Sequence, residues 1–437
     1  MQPIVTKSIK NKTAVVFIAG SAGELDWLLP ILNHLLDKNF NIKILFLSRH
    51  SLRSVRENSM CNRFINQKNN KIETVFCGGG FFEKIEYFAY ISYRIFLKLN
   101  LKRIFIIKHL YLIFDSLFKF FFLKKIPKDI LQCPAKKHLF FSEFPSLRRP
   151  RDLWIKKKFK NSLFFYFPHS PHIYSEDLDE NYQEPPSINF HKNSYLLMGH
   201  PKDYSAINDG RELENSSLEK VFVGHPKFSD NWLSGLKKKA KNFQITFNDR
   251  RKVNILILSR GYGSYFNRDS HVKLVESTVK TIEHLIPEYN ILVKKHPRET
   301  SSHWNKLSEH SSSIQIKNDH ILELATKADF VISFWGSGSM DCFLLGVPVI
   351  EYWDPIKNNK QQVFERGSYT TIYRKLGIVL SSNSEKDLRN NILKLLDKGF
   401  KSDSQGMHAH FNDLISRSNN WDKKFNEILS AHKLIGN

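Results

Sequence analysis

Two short segments of the chain carry residue types suited to holding a phosphate. The first is Val293-Lys-Lys-His-Pro-Arg-Glu299. An imidazolium at His296 can hydrogen-bond a phosphate or protonate it as it departs. Lys294, Lys295 and Arg298 keep its surroundings electropositive, and Pro297 stops whatever strand precedes it. The second segment is Ser333-Phe-Trp-Gly-Ser-Gly-Ser-Met-Asp341. Gly336 and Gly338 let the backbone approach a ligand closely. Exposed N–H groups there, with the hydroxyls of Ser337 and Ser339, form an anion cradle. The run lacks GxxxxGK[ST], so it is no Walker loop. Asp341 can accept bonds from ribose hydroxyls, or it can complement a helix N-terminus.

A third segment, Gly20-Ser-Ala-Gly-Glu24, supplies a carboxylate at a strand-to-helix turn. Glu24 can remove a proton from an acceptor hydroxyl, or it can serve only the helix dipole. Ser21 and Gly23 line the same turn, and Glu143 is a second, weaker base candidate. His169 and His172 follow an apolar run, where they can contact a substrate phosphate or hold structure. With no helical HxxxH or HExxH spacing and no CxxC pair, no metal site is expected.

These side chains need strand ends to hold them. Thr13–Ala19, Ile42–Leu47, Val253–Leu258, Tyr289–Lys294, Asp329–Ser333 and Pro348–Tyr352 are apolar runs typical of strands buried on both faces. Between them lie helical patterns such as Trp27–Leu36 and His271–Leu285. Pro30 is expected only in a first turn. The alternation predicts an α/β chain with two Rossmann-like halves of parallel sheet. Residues 1–235 form one half and 236–437 the other, with the last helices able to cross back. In open α/β sheets ligands gather at the carboxyl ends of strands, which is where His296, the serine loop and Glu24 fall.

The composition excludes several classes. The chain has 437 residues, 41% hydrophobic and 25% charged, so it is neither disordered nor fibrous. Four dispersed cysteines argue against a disulfide framework and for a reducing cytosol. The N-terminus lacks a signal-peptide pattern, and no run of about 18 apolar residues suggests a membrane span. The net charge is +23, of which a surplus of 13 falls within residues 81–160. In residues 81–128, fourteen aromatics alternate with Lys and Arg. That mixture suits an anionic membrane surface, although core-facing helices of a Lys-rich protein would look similar. No nucleic-acid module accompanies the charge, so nucleic acid is not an expected partner.

Taken together, these motifs resemble those of GT-B glycosyltransferases. Lys294–Pro297 and Ser333–Ser339 are similar to the paired motifs of bacterial polysialyltransferases, capsule Kdo transferases and CDP-glycerol glycerophosphotransferases. In those families the histidine and serines hold the nucleotide phosphate, which implicates His296, Ser337 and Ser339. Gly20–Glu24 is similar to the N-terminal motif of lipid A Kdo transferases, whose glutamate is the base, and Val221–Phe228 looks like the linker strand of the group. The sequence departs from the sialyltransferase pattern in lacking an acidic pair followed by Gly, and its paired serines are spread as Ser-Gly-Ser.

The resemblance implies a GT-B-like fold with two parallel sheets facing a central cleft. It implies metal-independent transfer of a sugar or polyol phosphate, with no cofactor beyond a CMP-, CDP- or UDP-linked co-substrate. The acceptor would be a surface polysaccharide or lipid-linked glycan, and the enzyme would sit on the inner face of the cytoplasmic membrane. A UDP-sugar 2-epimerase and a non-catalytic polysaccharide-assembly protein are the alternatives.

Overall fold

A computed structural model describes residues 12–67, 70–77, 130, 138–143, 155–168, 188–203, 218–242, 252–261, 267–296, 299, 303–354, 370–401 and 406–435. Among these residues the strands form two wholly parallel sheets. The first comprises β1 (Lys12–Ile18), β2 (Phe40–Phe46), β3 (Ile72–Phe76), β4 (His138–Glu143), β5 (Leu163–Phe167), β6 (Ser194–Met198) and β7 (Glu219–Phe222), in the order β3-β2-β1-β4-β5-β6-β7. The second comprises β8 (Val253–Leu258), β9 (Tyr289–Lys294), β10 (Ile314–Ile316), β11 (Phe330–Ser333), β12 (Val349–Tyr352) and β13 (Leu380–Ser382), in the order β10-β9-β8-β11-β12-β13.

Parallel strands need both faces covered, and the apolar runs supply side chains for both. Because β4 and β5 pair in register, Phe140 lies beside Phe164 and Phe141 beside Phe165. Alternation then sends the two phenylalanines of each strand to opposite faces. On one face Phe17, Phe140 and Phe164 stack at 6.2 and 5.1 Å. On the other, Phe141, Phe165 and Tyr195 stack at 5.1 and 5.6 Å. Aromatic pairs of this kind contribute about 0.5–1.5 kcal/mol each beyond their burial.

Twelve helices are labelled here: α1 (Ala22–Asp37), α2 (Arg49–Glu57), α3 (Ser59–Ile65), α4 (Asp230–Lys239), α5 (Arg268–Leu285), α6 (His303–His310), α7 (Ile321–Ala325), α8 (Gly338–Leu344), α9 (Ile372–Lys375), α10 (Glu385–Asp397), α11 (Ala409–Asn419) and α12 (Trp421–Ala431). Pro30 sits well inside α1 rather than in its first turn. The interruption costs roughly 3 kcal/mol, which burial of Trp27, Leu28, Ile31, Leu32, Leu35 and Leu36 on the same helix outweighs. Late in the chain, α12 packs Phe425 against Phe141 and Phe165 of the first sheet. Lys424 donates to the Phe222 carbonyl at 3.0 Å.

Each sheet reverses its strand order once, between β1 and β4 and between β8 and β11. At such a switch point the following helices leave to opposite faces and open a crevice at the carboxyl ends. The two crevices are where the chemistry collects.

Candidate active site

The crevice of the first sheet is acidic. Ser21 caps α1 and Glu24 completes a capping box by reaching back to the Ser21 N–H. The Glu24 carboxylate also accepts from the amides of Ala19 (2.9 Å), Gly20 and Ser21 (3.1 Å), and the Gly23 amide donates to the Ser21 hydroxyl at 3.3 Å. A Cβ at Gly20 would collide with the Glu24 carboxylate, so glycine permits this fold-back. Glu24 is only 1% exposed. Burial, and then the negative charge of Glu143 at the end of β4, push its carboxyl up to about 7 against the pull of the three amides.

The crevice of the second sheet is basic and aromatic. Arg260 follows β8, with its guanidinium 4.3 Å from the Trp335 ring centroid. Trp335 in turn stacks on Trp353 at 5.7 Å. Trp335 has φ +67°, a left-handed conformation that costs a bulky residue about 1–3 kcal/mol and is characteristic of functional loops. Lys294, Lys295 and His296 end β9 half-buried at the same edge. Lys294 donates to the Asn318 carbonyl at 2.7 Å, and burial lowers its ammonium to about 8. The His296 carbonyl accepts from the Glu299 amide at 2.8 Å, closing a tight turn.

The serine loop divides. Ser337 is exposed and Gly336 half-exposed, and no side chain caps the start of α8. Ser333 and Ser339 are fully buried and bonded to each other at 3.0 Å, so their hydroxyls serve the loop's interior. A Cβ at Gly338 would lie 2.8 Å from Ile321 Cδ1 and 3.1 Å from Leu258 Cδ1, side-chain tips that would have to shift. Asp341 is buried, and its carboxylate bonds Lys227 at the junction of the two sheets' helices.

That junction is a buried charge network. Lys227, in the turn after β7, bonds Asp26 of α1 at 3.1 Å and Asp341 of α8 at 3.0 Å. His320 Nε2 lies 2.8 Å from Asp26, while its Nδ1 accepts from the Leu322 amide. Burial alone would raise Asp26, but His320 and Lys227 hold it well below the usual carboxylate range. Burial opposes the Lys227 charge, and the two carboxylates outweigh it. Burial raises Asp341. Beside this network, Ser59 and Arg63 of α3 both bond Glu323 of α7.

Arg260 and Lys227 escaped the motif reading. An arginine between an apolar strand and a glycine was the available signal for the first. Lys227 lies in the Val221–Phe228 run, whose likeness to a linker strand gave its side chain no role. His169, His172, Arg298, Pro297 and the 81–128 patch lie outside the described residues. Among the described residues no helix is long and apolar enough to cross a membrane, and no group of three metal-ligating side chains is assembled.

No family model and no curated protein sequence matches this chain. Among the solved structures that match almost its full length are two of similar overall fold. The glycotransferase of kitacinnamycin aligns over 98% of this chain and 100% of its own, at TM-score 0.51 and 11% identity. A UDP-N-acetylglucosamine 2-epimerase aligns over 98% of both chains at TM-score 0.52 and 9% identity. The fold is therefore that of GT-B glycosyltransferase-like proteins, two Rossmann-like domains whose parallel sheets face a central cleft.

Proposed function

We propose that the chain is a glycosyltransferase that moves a sugar, or a polyol phosphate, from a nucleotide-activated donor to a polysaccharide or lipid-linked acceptor. One observation carries this reading: two crevices of the same topology hold opposite charge, Glu24 with Glu143 in the first and Arg260 with the Lys294–His296 edge in the second. An acceptor hydroxyl needs a base, and a departing nucleotide needs positive charge. In this reading residues 1–235 hold the acceptor and 236–437 the donor. As the acceptor oxygen bonds the donor sugar carbon (or, for a polyol phosphate, its phosphorus) and that atom's bond to the nucleotide phosphate oxygen breaks, Glu24 takes the hydroxyl proton. Arg260, His296 and the exposed turn at Gly336–Ser337 meet the charge left on the phosphate. A carboxyl near 7 suits that task, because about half of it is ionised at neutral pH and the ionised form is basic enough to accept.

The patch at 81–160 would hold the enzyme against the anionic inner leaflet. Sedimentation with phosphatidylserine vesicles should show binding that weakens with salt, and salt-independent absence of binding refutes it.

Epimerisation is the second reading, supported by the fold likeness to the 2-epimerase. Incubation with UDP-GlcNAc separates the two. Release of UDP and free ManNAc without acceptor supports the epimerase, whereas acceptor-dependent UDP release supports transfer.

A further inference from the structure

Beneath the basic edge lies a carboxylate that transfer chemistry does not use. The Glu299 side chain is fully buried, and its Oε1 accepts from the Ser259 hydroxyl at 3.2 Å. Ser259 Oγ in turn accepts from the Trp304 indole N–H at 3.0 Å. His271 of α5 lies 3.8 Å from the same Oε1 and hydrogen-bonds the Arg260 backbone. A Cβ on Gly261 would overlap Glu299 Cγ and lie 3.0 Å from its Cδ, so the carboxylate arm packs directly on the β8 loop. The Glu299 amide, meanwhile, donates to the His296 carbonyl. Its Oε2 has no hydrogen-bond partner among the described residues, a cost that a merely space-filling residue would not carry.

One side chain thus touches both residues flanking Arg260, and its backbone closes the turn that starts at His296. We infer that Glu299 is a positioning residue, holding the Arg260 loop and the His296 turn at the mutual spacing that a nucleotide phosphate requires. This rests on the donor-site reading above. Shifts of about 1 Å in such groups cost on the order of 10²-fold in rate, and Glu299 joins the two loops, its Oε1 to Ser259 and its amide to the His296 carbonyl.

The test compares Glu299→Ala, Glu299→Gln and Gly261→Ala. The His296 ring resonance, assigned by its loss in His296→Ala, is followed by NMR through a pH titration, and UDP affinity is measured by calorimetry. The proposal expects Glu299→Ala to move the His296 resonance and its midpoint and to weaken UDP about tenfold. Glu299→Gln, which keeps an acceptor for Ser259, should restore most of both, and Gly261→Ala should reproduce the alanine phenotype. A folded Glu299→Ala protein with an unchanged resonance and unchanged UDP affinity overturns it. If Glu299→Ala does not fold, Glu299→Gln and Gly261→Ala decide, and a wild-type resonance in Gly261→Ala counts against the proposal. If wild-type protein binds no UDP, the donor reading falls for that nucleotide, and the resonance still decides whether Glu299 positions His296.

Discussion

The turn after β1 and the turn after β11 each lead from a strand bordering a switch point into a helix. They differ in what fills the turn. After β1, Glu24 folds back onto three loop amides, so the chain supplies its own anion. After β11, Ser337 leaves α8 without a side-chain cap, and Asp341, the acid of its first turn, is drawn away by Lys227. A Rossmann turn attracts an external anion only when its own side chains leave the amides uncommitted. In the proposed transfer reading, the first turn would act as a base and the second would meet the phosphate.

The contrast can be broken in order of expected effect. Lys227→Met removes the cation that joins Asp26 and Asp341 and leaves two carboxylates buried face to face. It should cost about 3–5 kcal/mol, read as a lowered midpoint in urea unfolding. Glu24→Gln should lower turnover by on the order of 10²–10⁴-fold while preserving nucleotide binding. The wild-type rate should rise with pH through about 7, since the base acts deprotonated, and that limb should vanish in the variant. His296→Ala should cost on the order of 10²-fold in turnover, with loss of nucleotide affinity. Ser337→Ala removes one hydroxyl contact and should raise donor KM about fivefold, with kcat little changed.

Much of the framework was legible in the chain. Val253–Leu258 and Tyr289–Lys294 are strands with the boundaries their apolar runs suggest. Unbroken apolar strings between breakers leave a buried parallel strand little alternative. The direction of side chains within the serine loop was not legible. Ser333 and Ser339 bond each other inside the loop, and periodicity assigns no facing in so short a turn. Lys227 was equally hidden, because its partners lie 201 and 114 residues away in sequence. Pro30 shows the same override of local preference: α1 runs on through a residue that would end a less buried helix, with Trp27 stacked on Phe167 at 5.2 Å.

The most direct test of opposite crevices is a thermal-shift panel of CMP, CDP, UDP and GDP on wild type, Glu24→Gln and His296→Ala. A ligand bound only by the native state adds about 2.7 kcal/mol at a hundred times its Kd. The account predicts that one nucleotide stabilises wild type and Glu24→Gln alike and fails to stabilise His296→Ala. Stabilisation lost with Glu24 and kept without His296, or no stabilisation of wild type by any of the four, would contradict it.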